Sequence, residues 1–157
     1  MPSILSIPGL PRIEVSRRWN FDSADTGRAL RFAWHATRLF ATIARLRPPR
    51  ECPIYLTRTQ GSRHGATVAG MYQPGRHGRY TFDLTLNFNR TGVLISRVTE
   101  QVIPIVSWTD VLVSLAAHEF RHGMGINGSR KGERICEHFE AEVLRAWQAV
   151  EYPYLTP

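Results

Sequence analysis

Apolar residues recur along this chain with two different periods, which divide it into helical and extended stretches. Ala29, Phe32, Ala33, Ala36, Leu39, Phe40 and Ile43 follow helical spacing, while Arg28, Arg31, His35, Arg38 and Arg45 fall largely on the opposite side. Asp25 or Thr26 is placed to cap this first helix, which is expected to run to about Leu46 before Pro48-Pro49 stops it. His35 then belongs to a solvated face, not to a ligand set. Arg79 to Phe88 alternates with period two, setting Tyr80, Phe82, Leu84, Leu86 and Phe88 against Thr81, Asp83, Thr85 and Asn87. Pro53 to Thr59 and Ala66 to Tyr72 are further strands, joined through the Gly61-to-Gly65 turn region, and Val93 to Val106 is a mixed stretch interrupted by Pro104.

Ser107-Trp108-Thr109-Asp110 reads as a capping box ahead of the run VLVSLAAHEF. The helix it starts carries Val111, Leu115, His118 and His122 on one broad side and is expected to stop at Gly123 or Gly125. A glycine-rich loop from Gly123 to Gly132 then leads into a last helix from Glu133 to about Val150, which Pro153 closes. Before residue 25, Pro2, Pro8, Gly9 and Pro11 break up the apolar positions. Residues 1–24 are therefore expected to be an irregular segment and 25–157 a single domain. The fold class is α+β: an N-terminal helix, a small mixed or antiparallel sheet, and two C-terminal helices.

Composition narrows the function classes. At 157 residues with 43% hydrophobic and 21% charged positions, the chain has ordinary globular composition and needs no more than one core. No apolar stretch is long enough to span a bilayer, so the expectation is a soluble, cytoplasmic protein without a membrane partner. Cys52 and Cys136 are too few for a disulfide scaffold and read as buried thiols. The formal charge is +7, and Lys131 is the sole lysine among 20 basic residues. Arginines 12, 17, 18, 28, 31, 38, 45, 47 and 50 face only Glu14, Asp22 and Asp25 in the same span. Such a field could attract nucleic acid, although no base-reading module accompanies it.

The strongest chemical pattern is His118-Glu119-Phe120-Arg121-His122. Imidazoles four apart on a helix stand one above the other and can reach one Zn²⁺, with Glu119 beside them to handle a proton. A catalytic zinc usually has a third protein ligand and an open water position. Glu133, Glu137, His138, Glu140 and Glu142 are the downstream candidates; Glu133, Glu137 and Glu140 fall near one face of the last helix, and His138 points away from Glu133.

Ala116 to His122 (AAHEFRH) and Glu133 to Trp147 (ERICEHFEAEVLRAW) together resemble the gluzincin metallopeptidases. The likeness is closest to small bacterial and phage zincin-like proteins, the minigluzincins, in which a short loop links the HExxH helix to an E-x-x-A-[DE] helix. The resemblance covers about the last 50 residues and implies a compact zincin-like fold. It implies Glu133 as third zinc ligand and Glu137 as the acid behind a ligand imidazole, with Cys136 standing where the family has a small apolar residue. Spacing agrees, since Glu133 and Glu137 are four apart and one can reach the metal while the other reaches an imidazole.

On this reading zinc activates a water, Glu119 accepts its proton, and a peptide bond is hydrolysed, making the chain a zinc-dependent metalloendopeptidase acting on a peptide or protein. The gluzincins also commonly bind extended substrate along an edge strand, which Thr81 to Asn87 matches only in pattern and chain order, its place in the sheet being open. Arg121 points roughly 200° around the helix from Glu119 and is not expected in the site. Tyr152, Tyr154, His64 and His77 are weaker candidates for the cleft. Two other classes stand beside the enzyme: a regulatory, nucleic-acid-associated protein on a zincin-like scaffold, and a closed structural metal site with His138 or Glu140 as fourth ligand.

Overall fold

Strand structure begins in the leader expected to be irregular. Ser3–Leu5 (β1) and Ile13–Val15 (β2) pair antiparallel, with Ser3 opposite Val15. Each strand is three residues long, too short to show alternation, and Gly9 with φ +84° turns the chain between them. The computed structural model describes residues 3–58, 70–84, 93–95 and 102–155. His64 and Thr85 to Phe88 lie outside the described residues, as do Thr59 and Ala66 to Ala69.

Helix α1 spans Ser23–Ile43 and is capped by Asp22, whose side chain accepts from the Asp25 backbone N–H at 2.9 Å; Asp25 and Thr26 are therefore inside the helix. Its buried face comprises Thr26, Ala29, Leu30, Ala33, Trp34, Thr37 and Ala41. That face is turned by about 100° from the expected stripe. Leu39 and Ile43 are exposed, while Phe32, Ala36 and Phe40 pack at the core's margin. Thr37 can lie inside because its hydroxyl donates to the Ala33 carbonyl at 2.7 Å.

Strands Ile54–Thr57 (β3), Gly70–Gln73 (β4) and Arg79–Asp83 (β5) complete a five-stranded mixed sheet in the order β1-β2-β3-β5-β4. β2, β3 and β5 run parallel, and β4 returns antiparallel to β5 with Gly70 opposite Phe82. The strand that holds Thr81 is therefore internal: β5 lies between β3 and β4, and β4 forms the edge. Ile13, Ile54, Leu56, Tyr80 and Phe82 line the inner face and are fully buried. Val93–Ile95 (β6) and Val102–Pro104 (β7) form a separate antiparallel ribbon.

Helix α2 spans Trp108–His122 and lies against α1, α3, β4 and β5, where α3 is Arg130–Glu151. Only Trp108, Leu115 and His118 of α2 are not buried. Phe120 stands edge-on to Trp34, Tyr80 and Phe82, with ring centroids 4.9, 4.9 and 5.7 Å away. Ser107 caps α2 by accepting from the Thr109 N–H. Asp110 reaches back to the Val106 N–H at 2.9 Å instead of closing on Ser107, and also accepts from Trp147, Gln148 and Tyr152. This fully buried carboxylate therefore joins the start of α2 to the end of α3.

Ser129 caps α3, whose first residue, Arg130, lies three before the expected start at Glu133, and a 3-10 turn follows at Pro153–Leu155. Among the described residues no helix is long and apolar enough to cross a membrane. Phe120→Ala would leave a cavity among three aromatic rings, and urea unfolding is expected to show a loss of about 3–5 kcal/mol.

Candidate metal centre

The turn between α2 and α3 determines which of their residues meet. Gly123 caps α2, Gly125 takes φ +98°, and α3 starts at Arg130, so the two helices pack side by side. The last turn of α2 consequently faces the first turn of α3. The Glu133 carboxylate lies between the two imidazoles, with Oε2 3.0 Å from His118 Nε2 and Oε1 2.9 Å from His122 Nε2. His118, His122 and Glu133 are thus brought together.

The outer sides of the rings are occupied as well. His122 Nδ1 faces the Ile126 carbonyl oxygen at 2.8 Å. His118 Nδ1 faces Glu140 Oε1 at 3.5 Å, and Glu140 Oε2 accepts from the Ser114 hydroxyl at 2.9 Å. The acid facing His118 Nδ1 is Glu140, the kind of place that the resemblance gave to Glu137. Helical geometry accounts for the difference: moving back one turn along α2 means moving forward along α3, and seven residues from Glu133 nearly complete two turns. Glu140 approaches His118 from the side opposite Nε2, which also removes it as a fourth ligand for an ion held there. His138 is exposed on α3.

All four ring nitrogens face oxygen acceptors. A neutral imidazole has one N–H and one lone pair, so it cannot donate in both directions. The cluster therefore calls for positive charge, supplied by protons on the rings or by a cation between them. Burial alone would lower the His118 pKa, but the carboxylates of Glu140, Glu119 and Glu133 outweigh it and push it up to about 9.

Cation dimensions can be compared directly with these positions. Tetrahedral zinc with bonds near 2.0–2.2 Å sets its ligand atoms about 3.3–3.5 Å apart. The two nitrogen-to-carboxylate separations, 3.0 and 2.9 Å, fall a few tenths of an ångström short of that spacing. Two imidazoles and a carboxylate are also donors that zinc accepts.

Glu119 is buried beside this group. Burial raises its pKa against the opposing influence of His118 and His122. Gly70 makes room for it: a β-carbon there would lie 3.1 Å from Glu119 Cγ and 3.3 Å from Oε1. Glu119, His122 and Glu133 line a cleft of about 590 Å³ whose other wall includes Gly70, Met71 and Tyr72.

Cys136 is fully buried, and its sulfur and one nitrogen from each histidine lie within 4.8 Å of one another. Burial pushes this thiol up to about 12. Cys52 and Cys136 are both free and buried.

The remaining candidates sit elsewhere. Arg121 is turned away, with its guanidinium 5.2 Å from the Phe40 ring centre. Tyr152 donates to Asp110, while Tyr154 and His77 are exposed. Glu140 was legible as part of an acidic face and as a possible fourth ligand, not as the acid facing His118, whereas Gly70 and the Ile126 carbonyl carry no side-chain signal.

Comparison of the chain with protein-family models, curated proteins and solved structures gives no match. Glu140→Gln is expected to weaken Zn²⁺ binding about 10–100-fold in a chelator competition, because the acid orienting His118 is lost.

Proposed function

We propose that this chain is a zinc-dependent peptidase with a compact zincin-like fold, in which His118, His122 and Glu133 hold the metal and Glu119 is the general base. The observation that carries this reading is the Glu133 carboxylate spanning both Nε2 atoms, with Glu119 beside it in an open cleft. Zinc, when bound, supplies Lewis-acid polarisation of a carbonyl and lowers the pKa of a water toward neutrality.

Glu119 takes a proton from the attacking water and returns it to the departing amine nitrogen. Glu140 and the Ile126 carbonyl keep the two rings turned so that their Nε2 atoms point at Glu133. Among the described residues β4 pairs only with β5, and its other edge borders the cleft. That edge offers main-chain groups to an extended peptide, in the manner of an added strand.

Metal analysis of purified protein should find about one zinc per chain, removed by His122→Ala. Glu119→Gln should keep the zinc and lower kcat on a peptide substrate about 10²–10⁴-fold. Undiminished turnover by that variant excludes Glu119 as the base. In Gly70→Ala the added methyl must displace Glu119, so kcat should fall roughly tenfold while metal content stays constant.

A further inference from the structure

We infer that the cleft takes acidic peptides, gripping a substrate carboxylate with Arg47. This rests on the peptidase reading and names the substrate class for that site. Arg47 is exposed, yet its backbone is fixed. At the end of α1 the chain reverses through Arg45, at φ +54°, with the Leu46 N–H donating to the Ala41 carbonyl at 2.8 Å. Pro48 restricts the residue before it to extended conformations, and Pro49 stiffens the next step. The Arg50 N–H then donates to the Gly123 carbonyl at 3.0 Å, and the Tyr80 hydroxyl to the Arg50 carbonyl at 2.7 Å. The segment is therefore tied to the residue that caps the HExxH helix.

Arg47 lines the cleft containing Glu119, His122 and Glu133, and also an adjoining groove of about 510 Å³ that continues past Tyr72 and Gly125. Three arginines border that groove, but they are not equivalent. The Arg50 guanidinium donates to the Gly75 carbonyl at 2.6 Å. Arg38 and Arg47 have no carboxylate within ion-pairing distance among the described residues, although Glu51 borders the same groove. Glu133 is engaged with the two imidazoles. An unpaired guanidinium presents a planar fork of donors that matches a carboxylate. The chain's +7 charge favours the approach of acidic ligands to it. The carboxylate can come from an aspartate or glutamate side chain or from a peptide's C-terminus.

The probes are Ala/Ser heptapeptides carrying one Glu, one Gln or one Lys, each as free acid and as C-terminal amide, labelled with an uncharged fluorophore. Anisotropy measures their binding to zinc-supplemented Glu119→Gln protein, while wild-type protein is assayed for cleavage in parallel. Carboxylate-bearing peptides should bind about ten- to a hundredfold tighter than matched neutral ones. Arg47→Glu should abolish the difference, Arg47→Lys should retain part of it, and Arg145→Glu on the exposed face of α3 should leave it intact.

A preference that survives amidation assigns a side-chain carboxylate, and one that amidation removes assigns the C-terminus. Equal binding of charged and neutral peptides, or discrimination that persists in Arg47→Glu, overturns the inference. Indiscriminate cleavage would sink the substrate assignment and leave hydrolysis standing. Arg47-dependent binding with no cleavage of any peptide would do the reverse.

Discussion

Everything at the site depends on α2 having one permitted rotation. A helix touched by two other helices and by two strands cannot turn about its axis without moving Phe120 out from between Trp34, Tyr80 and Phe82. Phe120 occupies one of the two unspecified positions of the HExxH pattern, and Arg121, stacked against Phe40, occupies the other. The residues that the pattern leaves open are therefore those that aim the ones it fixes. Ala116 and Ala117, both fully buried, supply a narrow helix surface where neighbouring elements pack closely.

A second constraint is electrostatic. Bringing Glu119, Glu133 and Glu140 around two imidazoles in a largely buried place costs solvation free energy unless positive charge accompanies them. The acceptor on every ring nitrogen leaves two ways to meet that need, protonation or a cation. Glu133 is the most exposed of the three carboxylates, with 41% of its side chain accessible, so its position beside the open cleft limits the cost. Glu140 is shielded, and the Ser114 hydroxyl satisfies one of its oxygens. The cluster thus combines a protected rear, which orients the rings, with a solvated front, where ligands can enter.

The helical half of this arrangement was legible in the sequence because its signals are local. Ser107, the apolar run and Gly123 bound α2 within a residue of its expected limits, and the short loop brought Glu133 to the histidines. Longer-range relations were less legible. Two three-residue strands have no measurable period, so β1 and β2 escaped notice. On α1, alanines and threonines on the true buried face competed with larger apolar residues at its margin, rotating the expected stripe. The meeting of Glu140 with His118 depends on how α3 is aligned against α2, and the edge role of β4 depends on sheet order. Neither is encoded in the spacing of one segment.

Opposite charges are also kept apart here, and the backbone does it. The chain is strongly basic, but among the described residues no arginine joins the three acidic side chains around the imidazoles in an ion pair. Had Arg47 sprung from a flexible loop, the nearest carboxylate in the cleft would have been its natural partner, and Glu133 would have been drawn from the histidines. The reversal at Arg45, the two prolines and the Arg50–Gly123 hydrogen bond limit that motion. A rigid connection thus preserves an acidic pocket and a basic rim in the same cleft, each available for a ligand of opposite sign.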